Sequence, residues 1–83
     1  MHEHGLIRGV LVTAQKSLRE QGVEQHVRCV HIKAGELLAA TAEHLGWHFD
    51  QIKAEWPQFA AARINVEIVE GSQLFVDSMD LET

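Results

Sequence analysis

The first four residues, Met1-His2-Glu3-His4, hold the densest set of metal donors in the chain: an α-amine, two imidazoles and a carboxylate, brought together before any folding. The Met1 amine and the His2 main-chain nitrogen, once a metal displaces its proton, close a five-membered chelate ring on one ion. His2 Nδ1 closes a six-membered ring with that same amide. Three nearly coplanar nitrogens suit Ni(II) or Cu(II), whereas Zn(II) prefers a tetrahedral set and Mg(II) or Ca(II) all-oxygen ones. Glu3 or His4 can complete the plane. His2 is too large for methionine aminopeptidases to act, so Met1 is expected to keep its amine, and an acetyl group would remove that donor. Without a metal, the same residues read as a frayed, solvated terminus.

Two other pairs carry donor chemistry. His44 and His48 are four apart on one flank of a helix, where two imidazoles can chelate a transition metal; otherwise they are boundary histidines at the core edge. Cys29 and His31 are two apart on one strand face and can touch one ion, although a Cys and a His pointing to solvent are more often plain surface residues. Catalytic constellations are missing. There is no glycine-rich phosphate loop and no G-x-S-x-G, and Cys29 has no evident activating partner, so binding, transfer or assembly is expected rather than an enzyme.

The elements that must position these residues follow from periodicity. Over residues 4–21, Ile7, Leu11, Ala14 and Leu18 recur at helical spacing with Leu6 and Val10 alongside, and Gly22 is the natural stop. Residues 27–34 alternate as a half-buried strand, with Val30, Ile32 and Ala34 inward and Cys29, His31 and Lys33 outward. Gly35-Glu36-Leu37 breaks it. Thr41 offers an N-cap for a second helix with the core stripe Leu45, Phe49, Ile52 and Trp56, closed by Pro57. Trp47 falls opposite that stripe, over a sheet edge or a partner surface.

Residues 63–69 alternate again, Ile64, Val66 and Ile68 inward, and 74–81 form a further strand after a turn at Glu70-Gly71. The last strand changes phase, because Val76 and the next apolar residues, Met79 and Leu81, are an odd step apart. A β-bulge near Asp77-Ser78 restores one inward face. The order α, β, α, β, β predicts an α+β domain: two helices packed on one face of a small three-stranded, mainly antiparallel sheet. In that arrangement the two C-terminal strands form a hairpin, and the 27–34 strand is left with an open edge, a route to a dimer.

Composition sets the outer limits. The 83 residues are expected to form one small domain spanning 1–83; 46% hydrophobic and 23% charged residues fit a folded protein, and a formal charge of −5 argues against nucleic acid. With one cysteine, neither an internal disulfide nor a Cys-based zinc site is expected within one chain, and a reducing compartment fits. Neither a leader nor a membrane-length apolar run is visible, so a soluble, cytoplasmic protein is expected.

Met1-His2-Glu3, the helix closing at Gly22, the strand running into Gly35-Glu36-Leu37, the Leu45-x-Trp47-x-Phe49 pattern and the ending Gly71-x-x-Leu74-x-Val76-Asp77-Ser78-Met79-Asp80-Leu81-Glu82 together resemble the HypA/HybF family. The resemblance covers nearly the whole chain in order. It implies a nickel metallochaperone for maturation of [NiFe] hydrogenase and, in some bacteria, urease. Ni(II) is then held by Met1, His2 and Glu3, with His4 as an added donor. The implied partners are a HypB-like GTPase and the hydrogenase large subunit, in a homodimer or a heterodimer with a HypA paralogue. Family members insert a zinc ribbon with two Cys-x-x-Cys pairs near 70–71. This sequence has no such insert, so structural zinc is not expected. The competing reading is a HypA-like interaction or scaffold module that pairs with a maturation partner and transfers no metal.

Overall fold

The computed structural model describes the backbone of residues 2–82 and the side chains of residues 5–38 and 44–82. Helix α1 (His2–Glu20) and helix α2 (Ala39–Ile52) cover one face of a three-stranded sheet of β1 (Val27–Gly35), β2 (Arg63–Val69) and β3 (Leu74–Leu81). The α+β, two-helix, three-stranded architecture is as expected.

Ile7, Leu11, Ala14 and Leu18 of α1 are buried with Val10, so the helical spacing turns one stripe onto the sheet. Its end is a Schellman closure. Gly22 sits at φ 68°, its N–H donates to Arg19 O at 3.1 Å, and Val23 N–H donates to Leu18 O at 2.9 Å. Val23 then packs against the core. No β-carbon penalty arises at Gly22, which is why glycine serves there.

Helix α2 departs from expectation at both ends. A 3₁₀ turn, Glu36–Leu38, leads into it, and Leu38 occupies the cap position without a side-chain hydrogen bond, so Thr41 is an interior helical residue and not the N-cap. At the other end the α-helix stops at Ile52, before Pro57. Lys53–Glu55 is a 3₁₀ turn, Trp56 is extended and Pro57 opens a further 3₁₀ turn, Pro57–Phe59. That turn buries Phe59 completely in the core. Leu45, Phe49 and Ile52 are buried as expected, with Trp56 half-buried and Trp47 62% exposed.

The hairpin expected from residues 63–81 does not form. β1 lies between β2 and β3, pairing parallel with β2 and antiparallel with β3, so the sheet is mixed and the open edges belong to β2 and β3, not β1. The physical reason lies at Gly35. Residues 70–73 cross over the end of β1 to reach its far side, with Gly35 N–H donating to Gln73 O at 2.6 Å and Leu37 N–H to Gly71 O at 3.2 Å. A β-carbon on Gly35 would collide with the main chain of Gly71 and come within 2.6 Å of Ser72 N. Glycine makes the crossing possible.

The phase change in the last strand is a bulge, as expected. His31 pairs with Ser78 and Ile32 with Val76, so Asp77 is the extra residue. Val76, Met79 and Leu81 thereby all turn toward the core. In β2, Ile64 and Val66 are half-buried against the core while Ile68, at the strand end, stays 47% exposed.

Candidate metal centre

The sheet face turned away from the helices is polar. Cys29, His31 and Lys33 alternate outward from β1, flanked across the ladder by Arg63, Asn65 and Glu67 of β2 and by Asp80, Ser78 and Phe75 of β3. Alternation alone puts the three β1 residues there. The bulge puts Asp80 beside them, since without the extra residue Asp80 would point inward and Met79 outward.

The cysteine, imidazole and carboxylate converge. One ligand atom each from Cys29, His31 and Asp80 lies within 4.8 Å of the other two, and this is the one such group of three or more found among the described residues. His31 Nε2 is 2.8 Å from Asp80 Oδ2, and Asn65 Nδ2 is 3.2 Å from His31 Nδ1. An amide N–H donating to Nδ1 leaves the imidazole proton on Nε2, where it donates to the carboxylate. The ring is held at both nitrogens. His31 and Asp80 side chains are 30% and 62% exposed, so an ion in solution can reach them.

Burial pushes the Cys29 thiol above its ordinary value, and the neighbouring Asp80 carboxylate adds to this while Arg63, its partner across the ladder, pulls the other way. A cavity of about 570 Å³ opens beside the thiol, lined by Arg28, Cys29, Ala61, Arg63, Asp80 and Glu82. Further along the face, Lys33 Nζ stands 3.8 Å from Asp77 Oδ1.

The expected sites fall differently. Met1 lies outside the described residues, and so do the side chains of His2, Glu3 and His4; the backbone from His2 onward is the first turn of α1. His44 is exposed and His48 half-buried, the latter edge-on to Trp47 with ring centroids 5.0 Å apart, and no third donor joins them among the described residues. The Cys29 and His31 pair, read from sequence as surface residues, gains Asp80 as a third donor. The odd step between Val76 and Met79 carried that signal, because a bulge there turns Asp80 outward next to β1.

No helix among the described residues is long and apolar enough to cross a membrane. No curated protein and no solved structure gives a significant match to the chain. A family profile does match, over residues 1–80, and its description is hydrogenase/urease nickel incorporation, metallochaperone. With nearly the whole length covered and the expected two-helix, three-stranded architecture in place, the chain belongs to the HypA family.

Proposed function

We propose that the chain is a nickel-binding accessory protein for maturation of [NiFe] hydrogenase, its Ni(II) cargo held by Met1, His2, Glu3 and His4. The match to a nickel-incorporation family, which begins at residue 1, carries this reading. Backbone geometry supports it. Helix α1 starts at His2, and the first four N–H groups of a helix have no acceptor one turn behind them. The His2 and Glu3 amides are therefore not committed to the helix ladder and can lose a proton to an ion, provided Met1 keeps its amine.

On this reading the chain acts as one HypA-like nickel-binding domain over 1–83, in the cytoplasm, as a homodimer or with a HypA paralogue. A HypB-like GTPase would be its partner in delivery and the hydrogenase large subunit its recipient; urease is the other client class that the family description names. The place at which a zinc ribbon would be inserted corresponds here to the link crossing Gly35.

A Ni(II) titration followed by the absorption band of a square-planar complex tests the site. The native chain should bind, and both an N-acetylated chain and His2→Ala should lose the band; unchanged affinity in His2→Ala overturns the N-terminal site. Restoration of hydrogenase activity in a deletion strain by the native chain, and not by His2→Ala, tests the client. A second reading, favoured by the 62% exposure of Trp47, is an interaction module whose partner binding ignores nickel. A pull-down with and without chelator separates the two.

A further inference from the structure

The geometry points to a second metal site, independent of the N-terminal one, in which Cys29, His31 and Asp80 hold Zn(II) on the open face of the sheet. Three donors rising from two adjacent strands reach an ion from one side only. That is a facial set, which fits three corners of a tetrahedron and not a plane. Thiolate, imidazole and carboxylate are all zinc ligands, and a coplanar nitrogen set is what Ni(II) or Cu(II) would want instead. The fourth corner faces solvent and takes water.

The distances need little adjustment. Ligand bonds of about 2.0–2.3 Å at tetrahedral angles put donor atoms about 3.3–3.8 Å apart. The three donors start within 4.8 Å of one another, and the 2.8 Å contact between His31 and Asp80 opens slightly as the ion replaces the shared proton. Proton balance is simple. The imidazole stays neutral, its hydrogen moving from Nε2 to Nδ1, and the Cys29 thiol releases one proton to solvent. Asn65 turns its amide so that Oδ1 accepts from Nδ1–H, the outer-shell hydrogen bond that metal-bound histidines almost always make. Two negative ligands neutralise the ion. Arg28 and Arg63, which line the neighbouring cavity, oppose it and hold the affinity below that of a closed structural zinc site.

Co(II) is the probe, since tetrahedral cobalt shows intense d–d bands and thiolate ligation adds a charge-transfer band. N-acetylated chain, reduced, should bind one Co(II) with both signatures and give it up to Zn(II). Cys29→Ser should lose the charge-transfer band. Asp80→Asn should weaken binding at least about tenfold, and Asn65→Leu about tenfold without moving the bands. Absence of a thiolate band in the acetylated chain, or its survival in Cys29→Ser, overturns the site. Circular dichroism checks each variant's fold, and Asp80→Asn, at an exposed position, decides the matter if Cys29→Ser unfolds. Acetylation abolishes the proposed nickel site and leaves this one, so the two fail separately.

Discussion

His31 Nε2 and Asp80 Oδ2 stand 2.8 Å apart because Asp77 is looped out of the ladder between β1 and β3. Deleting Asp77 would slip the remainder of β3 by one position, turning Asp80 into the core and Met79 out. Replacing the half-buried Met79 side chain against the core with a carboxylate should cost about 2 kcal/mol or more. Urea denaturation of the deletion variant measures it; a midpoint equal to the native chain's would mean the bulge does not set the register.

Gly35→Ala should be among the most damaging single changes. The added methyl meets main-chain atoms of Gly71 and Ser72, which cannot swing aside as a side-chain end would. Displacing the crossing also strains the bond from Gly35 N–H to Gln73 O, so a loss above about 2 kcal/mol is expected. The melting temperature reports it, and Gly5→Ala, where open space surrounds the new methyl, is the control that should hold or gain stability.

Gln58 ties the loop after α1 to the turn before β2. Its Nε2 donates to Val23 O at 3.2 Å and to Gln25 O at 2.9 Å, and its Oε1 accepts from Gln15 Nε2 at 2.9 Å. Gln58→Ala strips all three, and at this half-buried position about 1–3 kcal/mol should be lost. A lower urea midpoint with an unchanged slope is the expected signature.

The Cys29 thiol, lifted first by burial and then by the Asp80 carboxylate, should be a poor nucleophile in the folded, metal-free chain. Iodoacetamide at pH 8 should modify it more slowly than in urea-unfolded chain, and Asp80→Asn should narrow the gap. The sign for stability follows. The folded chain keeps this proton where the unfolded chain has lost it, so the contribution is present below the ordinary thiol value of 9.0 and lost as pH rises through the raised folded value. Equal alkylation rates in folded and unfolded chain would show that the fold does not hold the proton.

What the sequence made legible was what short-range periodicity encodes. The Ile7, Leu11, Ala14 and Leu18 stripe and the Gly22 stop depend on neighbours within a turn or two, and both stand in the structure. The bulge was readable because a strand with one buried face cannot change phase without an extra residue. Strand order was not readable. Nothing local distinguishes a tight turn at Glu70-Gly71 from a link passing over another strand, and the decisive partner, Gly35, lies far back in the chain. Phe59 was missed for a related reason, since a single aromatic in a 3₁₀ turn has no period. The Cys29, His31 and Asp80 cluster needed both the phase argument and the strand order. The N-terminal donors can be read only as sequence, because Met1 and the side chains beside it lie outside the described residues.

The sheet order also bears on biosynthesis. β1 is the middle strand but leaves the ribosome before either flank, so the nascent chain holds its two rows of main-chain N–H and C=O groups unsatisfied until residues 63–81 have been made. Both sets of ladder bonds join segments distant in sequence, which slows closure and leaves a sticky half-sheet in the meantime. Premature termination anywhere in β3 would strand the polypeptide in that state, a natural substrate for chaperones and proteases.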